Sequence, residues 1–301
     1  MASTELVGEK MNNSKIHIKK SVFAFLKLIR TFNLIILGFT QYMCRYFIIG
    51  EGKDSLTVIA GDWKFFVLVL CTVLVAAAGY IINDYYDVKI DLINKPKRVV
   101  IGKVLHRRIA LTSHFMLNTL ACALSIFLGW KIFSIIVGTT ILMWFYANQL
   151  KRTALLGNLL ISFLTALSVF MPSFLYAPTQ FILILYASFA FFISLIREII
   201  KDMEDLKGDE EFGCRTLPII WGIRKTKTFI YIVSLLFLSI ISVILFYAGS
   251  NIQVYFLLLP GPLFIWLVVQ LAKADTSAQF LQLSYLCKWI MVAGVLSMTL
   301  L

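Results

Sequence analysis

The sequence predicts an all-α membrane protein of nine transmembrane helices, with its N-terminus in the cytosol and its C-terminus outside. Three observations carry that expectation. Sixty per cent of the 301 residues are AVILMFWYC and 15% are charged, with a mean hydropathy of +0.87; soluble domains sit near 45–50% apolar and about 25% charged. The apolar residues fall into long runs almost free of charge. Lysine and arginine alternate strongly between the two sides of those runs.

The runs follow in order. Residues 1–20 form a polar tail, too long and too mixed for a cleaved signal peptide, and residues 21–301 read as a single domain. A helix needs about 20 apolar residues to cross roughly 30 Å of hydrocarbon. Residues 31–50 carry only Arg45, and 65–82, 109–130 and 132–150 carry no charge. Residues 153–196 make 44 without a charge, about 66 Å as one helix and far too long for a single crossing. The turn signal at 176–180 splits this run, and Ala-Gly-Ser-Asn at 248–251 splits the 45-residue run 228–272. Residues 278–301, carrying only Lys288, supply the ninth span.

With the N-terminus inside, the cytosolic connections hold 23 Lys and Arg against three on the other side, a strong positive-inside signal. Orientation thus accounts for the net charge of +12, and no nucleic-acid partner is expected. The five cysteines and three histidines show neither CxxC spacing nor an i, i+4 histidine pair, so zinc and redox chemistry are not expected. The chain reads as a multi-pass protein of the cell (inner) membrane, in contact with membrane lipids.

The acids carry the chemistry. Ten of the sixteen Asp and Glu lie in two stretches, Asp84, Asp87, Asp91 and Glu198 through Glu211, at the cytosolic ends of the second and sixth spans. Asp84, Asp87 and Asp91 follow D-x-x-D-x-x-x-D, as do Asp202, Asp205 and Asp209. On a helix these offsets fall within about 60° of arc, so each set makes one stripe of carboxylates if the span's helix continues past the interface. Asn83 and Glu198 extend the same faces. An isolated pair of such acids is most simply a solvated helix end; two matching stripes on one side of a membrane need a neutralising partner. Magnesium takes one or two carboxylates plus substrate phosphate oxygens. Two opposed stripes could hold two such ions bridged by a diphosphate, with Lys95, Lys97, Arg98, Lys103, Lys151, Arg152, Lys201 and Arg215 supplying positive charge. The expected ligand has a diphosphate head and a long apolar tail.

Residues 83–91 (NDYYDVKID) with Asn94, Pro96 and Arg98 resemble the first aspartate-rich motif of the UbiA superfamily of intramembrane prenyltransferases. Residues 197–205 (REIIKDMED) with Gly208, Asp209 and 215–218 (RTLP) resemble the second, 118 residues on. The resemblance implies a ring of nine helices around a central cavity, capped on the cytosolic side by the two motif-bearing loops. It implies Asp84, Asp87, Asp202 and Asp205 as the catalytic metal or diphosphate anchors, with Asn83, Asp91 and Asp209 in support. Arg30 and Asn33 match a first-span pattern near the diphosphate, and Tyr146 and Lys151 match a segment after the fourth span. Residues 99–101 (VVI) depart from the proline-containing run that many members have there.

The implied reaction is magnesium-dependent transfer of a prenyl group from a polyprenyl diphosphate donor, at an active site facing the cytosol. Within the superfamily, both motifs are most similar to members that transfer geranylgeranyl to a prenylated glycerol phosphate lipid. Chlorophyll synthases share much of the first motif, so an aromatic acceptor or a chlorophyll-type alcohol esterification stays open. Two other classes are weaker. An intramembrane aspartyl protease would need aspartates within the bilayer and a glycine-flanked aspartate motif, whereas Lys207-Gly208-Asp209 lacks its first glycine. A carboxylate-lined cation transporter favours acids at the bilayer midplane, where this chain has none.

Overall fold

A computed structural model describes residues 21–176, 181–248 and 258–301. The expected polar tail (1–20) and most of the turns at 176–180 and 248–251 lie outside the described residues. Every named element is helical. Helix α1 covers 21–28 and ends at Arg30, whose left-handed backbone (φ 53°) turns the chain into α2, Thr31–Met43. A π-helical stretch, Cys44–Ile49, continues α2. The short α3, Leu56–Gly61, leads to α4, Trp63–Asn94. There follow α5, Arg107–Ser125; α6, Trp130–Asn148; α7, Leu156–Phe170; and α8, Phe181–Glu204. The short α9, Leu206–Glu211, precedes α10, Leu217–Ala248, which bends at Gly222, where φ 76° suits a residue without a β-carbon. The chain ends with α11, Pro260–Lys273, and α12, Ser277–Ser297.

Eight helical segments among the described residues are long and apolar enough to cross a membrane. The candidate between 248 and 273 is represented by α11 alone, 14 residues or about 21 Å, which begins next to undescribed chain. The bundle is stitched by α4 packing on α5, α6 and α2, and by α8 packing on α7, α10 and α12; α2 also touches α7 and α12. Helices α2, α4, α6, α7, α8 and α12 thereby surround a cavity of about 310 Å³. Large apolar side chains such as Phe115, Trp130, Phe163, Leu235 and Trp289 face outward, as a lipid solvent permits and water does not.

The two ends of the bundle are closed differently. At one end Arg45, in the π-helical stretch, bonds Asp54 at 2.5 Å and lies 4.5 Å over the Tyr176 ring. The Tyr176 hydroxyl donates to Asp62, which also caps α4 by accepting from the Phe65 N–H at 3.0 Å. Arg45 is therefore the hub of a polar clamp on α2, α4 and the end of α7. A π-bulge that re-aims one side chain is a recurrent way to place such a residue. At the other end, residues 95–106 fold over the bundle. Val100 and Ile101 are buried with Leu105, Ala110, Ile81 and the α1 residues Ala24 and Leu28. The departure at 99–101 is thus an apolar plug seating the loop on α1 and α4.

Candidate active site

Helix α4 runs for 32 residues, about 48 Å, well beyond a hydrocarbon core of roughly 30 Å. Its final turns carry Asp84, Asp87 and Asp91, so the first stripe forms as its spacing predicts. The second stripe differs from the single helix expected. Helix α8 ends at Glu204, Asp205 leaves helical geometry at φ −94°, ψ 6°, and α9 restarts at Leu206. The cause is Asn94 at the end of α4. Its Nδ2 donates to the Asp205 carbonyl at 2.9 Å, and its Oδ1 accepts from the Gly208 N–H at 2.9 Å. One side chain from the first motif thus takes the Gly208 N–H, which a continuous helix would pair with the Glu204 carbonyl, and adds a second donor to the Asp205 carbonyl, which also accepts from the Asp209 N–H at 3.2 Å. Gly208 is required, because a β-carbon there would lie 2.5 Å from Asn94 Nδ2.

Cations from other elements hold Asp84, Asp87 and Asp205. Arg30 Nη2 donates to Asp84 Oδ1 at 2.9 Å and its guanidinium lies 4.7 Å over the Tyr80 ring. Asn33 Nδ2 contacts the Tyr80 hydroxyl at 3.5 Å. Lys151, after α6, pairs with Asp87 and reaches the Asn83 carbonyl at 3.4 Å. Lys95 lies 3.0 Å from Glu204 and bridges to Asp205. Burial works against the Lys95 ammonium, but Asp205 and Glu204 overcome it and raise its pKa above the ordinary lysine value. Burial, reinforced by Asp205 and Asp87, pushes the Asp209 carboxyl up to about 7. The two motifs therefore share one electrostatic site, although they are more than a hundred residues apart in sequence.

Tyr146, Asn83, Asn33, Arg30 and Lys201 line the cavity. Lys201 pairs at 3.0 Å with Glu198, which is also held by Arg197 at 2.6 Å. Two expected cations form no ion pair with the acids. Arg98 turns away to donate to the Tyr285 hydroxyl at 2.9 Å, and the exposed Arg215 is fixed through its backbone N–H, which donates to the Arg152 carbonyl at 2.8 Å. Sequence reasoning gave no role to Asn158, whose Nδ2 donates to Asp202 Oδ2 at 2.8 Å. A lone amide at the start of an apolar span was its only signal. Asn94 was part of a motif, but its clip on Gly208 had no signature.

The donor set suits a hard cation, because the converging groups are carboxylate oxygens. Among the described residues no three acidic, histidine or cysteine side chains form a ready-made metal cage, so substrate oxygens would complete the coordination. Asp205 Oδ1 is buried and accepts no hydrogen bond, although Lys95 Nζ stands 2.6 Å away at ion-pair distance. A carboxylate oxygen held by an ion pair alone suits a magnesium ligand. Below the acids, Leu37, Val75, Met143, Leu164, Phe189 and Met298 make an apolar wall.

The chain is similar to known proteins in sequence and in fold. Digeranylgeranylglyceryl phosphate synthase of Korarchaeum cryptofilum is 33% identical over 241 residues, covering 79% of this chain and 86% of that protein. A solved structure described by its work on digeranylgeranylglyceryl phosphate synthase in membranes matches with a TM-score of 0.68 at 25% identity, over 92% of this chain and 97% of the other. A UbiA homolog from Archaeoglobus fulgidus, bound to GPP and Mg²⁺, shares the fold with a TM-score of 0.59 at 16% identity, over 92% and 99% of the two chains. The UbiA prenyltransferase family matches residues 39–287, from the middle of α2 to the middle of α12 and including both acidic motifs, and the chain belongs to that family.

Proposed function

We propose that this chain transfers a geranylgeranyl group from its allylic diphosphate to the hydroxyl of a prenylated glycerol phosphate lipid, releasing diphosphate. The observation that carries this reading is the meeting of the two acidic motifs through Asn94 and Lys95 at the mouth of an apolar cavity. The named activity of the Korarchaeum relative supplies the acceptor class.

Asp84, Asp87, Asp91, Asp202, Asp205 and Asp209 would hold two magnesium ions. Bound there, magnesium supplies Lewis-acid charge to the departing diphosphate. Arg30, Lys95 and Lys151, now paired with Asp84, Asp205 and Asp87, stand ready to bind phosphate oxygens as the carboxylates turn to metal. Asn158 orients Asp202 through its 2.8 Å bond. Tyr146 and Asn83 lie where the head meets the chain, and the apolar wall excludes water from the allylic centre.

In this reading residues 21–301 form one domain of nine spans in the cell membrane. The N-terminus and the cap carrying both motifs face the cytosol, and membrane lipids cover the outer apolar surface. The experiment is an assay of purified protein with magnesium and labelled geranylgeranyl diphosphate. Geranylgeranylglyceryl phosphate is offered beside hydroxybenzoate and naphthoate acceptors. The glycerol phosphate lipid should show the highest kcat/KM; an aromatic acceptor with the higher value would overturn the acceptor while leaving the family.

A further inference from the structure

Lys288 takes no part in the proposed reaction. It sits in α12, within a segment apolar enough to span a membrane, and it lines the cavity. An ionisable side chain in such a segment is costly and, when retained, marks a ligand path or a charge partner. No acid among the described residues forms an ion pair with it. Its ammonium lies 5.3 Å over the Tyr285 ring, whose hydroxyl accepts from Arg98, and the cations Arg30, Arg197 and Lys201 line the same cavity.

The cavity's charged lining is Arg30, Arg197, Lys201 and Lys288 against Glu198 alone. Arg30 is engaged by Asp84, and Glu198 is shared between Arg197 and Lys201. The Arg197 Nε is buried without a hydrogen-bond partner. Arg197 and Lys201 stand one turn apart on α8, which packs on α12. Both pair with Glu198 rather than with Asp202 or Asp205. A surplus of positive charge with an unfilled buried donor, set in a low-dielectric wall, is incomplete without an anion.

We infer that Lys288, Arg197 and Lys201 form a second anion subsite, which seats the phosphate monoester of the acceptor apart from the diphosphate of the donor. This rests on the acceptor class proposed above. The phosphate's oxygens take the Lys288 ammonium and the free Arg197 Nε–H, and the acceptor's prenyl chain continues down the apolar cavity. The subsite gives the enzyme a reason to prefer a phosphorylated acceptor to its uncharged alcohol.

The test uses the full chain in lipid nanodiscs, comparing wild type with Lys288→Met and Lys288→Arg. For Lys288→Met the KM for geranylgeranylglyceryl phosphate should rise about tenfold or more, the loss of one charge-assisted contact, while donor KM and kcat stay within about twofold. Lys288→Arg should recover most of the acceptor KM, and preference for phosphate over alcohol should fall in step in Lys288→Met. A rise in donor KM instead would assign these cations to the diphosphate, and an unchanged acceptor KM or a failure of Lys288→Arg to rescue would equally overturn the subsite. Binding of the phosphorylated lipid, measured without donor or magnesium, separates this from the acceptor reading. Lys288-dependent binding without turnover would keep the subsite and remove the acceptor; Lys288-independent binding would remove the subsite.

Discussion

Asn94 and Gly208 lock the two acidic motifs together: the Gly208 N–H donates to Asn94 Oδ1 at 2.9 Å, and there is no room for a β-carbon between them. Asn94 also bonds the Asp205 carbonyl, so the position of the second stripe depends on the end of the first. Removing the amide leaves the Gly208 N–H unpaired, at about 0.5–1.5 kcal/mol, while the Asp205 carbonyl keeps the Asp209 N–H at 3.2 Å. Asn94→Ala and Gly208→Ala should each lower kcat by about 10–100-fold through misplacement of Asp205 and Asp209. Far-UV circular dichroism should remain that of wild type. Near-wild-type turnover in both variants would show that the clip is dispensable.

The acids should be indispensable in a different way. Asp84→Asn and Asp202→Asn keep size and hydrogen bonding but remove the charge that binds a cation. Each should abolish turnover while the protein still inserts and folds. Excess EDTA should silence the wild type, and added Mg²⁺ should restore it. Full activity in EDTA would remove the metal from the proposal.

Protonation sets the pH window of metal binding. In the metal-free protein burial, Asp205 and Asp87 hold the Asp209 carboxyl near 7. Below that pH its proton must leave before a cation can bind, so apparent Mg²⁺ affinity should climb by up to about tenfold per pH unit toward 7 and level off above it. Titration of Mg²⁺ binding between pH 5.5 and 8 measures the slope. In Asp209→Asn binding should be weaker and the slope shallower; an unchanged slope would move the titrating proton to another acid.

The helices and acids were legible because each depends on local pattern. Charge-free runs mark apolar spans, and the D-x-x-D-x-x-x-D spacing placed Asp84, Asp87 and Asp91 on one face of α4. The partners were not legible, since periodicity says which face a residue occupies and nothing of what faces it. Arg98 and Arg215 read as cations of the site by proximity in sequence, yet Arg98 bonds Tyr285 and Arg215 lies exposed. Asn158 carried no expectation and Asn94 only membership of a motif, yet they hold the Asp202 carboxylate and the Asp205 carbonyl. The break at Asp205 likewise comes from a residue more than a hundred positions away, which no local rule could see.

Arg45 gives a prediction about stability alone. Its pair with Asp54 and its stacking on Tyr176 lie 15 residues along the helix from Arg30, roughly 22 Å from the acids. Arg45→Leu removes a charge-assisted bond worth about 1.5–3 kcal/mol and frees the end of α7. The melting temperature should fall while KM and kcat, measured well below it, stay near wild type. A large kcat loss with unchanged melting would mean that this clamp couples to the site.

The last prediction concerns where the chain ends. Without a crossing between 248 and 273, α12 would begin on the side opposite the acids. Two contacts argue otherwise. The Ser277 hydroxyl donates to the Glu204 carbonyl at 2.9 Å, and Lys227 pairs with Asp275 at 2.9 Å. Both put the start of α12 beside the end of α8 and the start of α10, at the acidic end of the bundle. Since α10 leaves that end at Gly222 and runs away from it for 26 residues, about 39 Å, the chain must return before Asp275. Helix α11 covers the final part of that return. α12 then leaves the acidic end again, and its 21 residues span about 31 Å. A reporter fused after Leu301 should therefore read as extracytoplasmic, and one inserted near Lys207 as cytosolic, in keeping with the excess of Lys and Arg on the acidic side. Two reporters on the same side would mean that the chain between α10 and α11 does not complete a crossing, and that the span count falls by one.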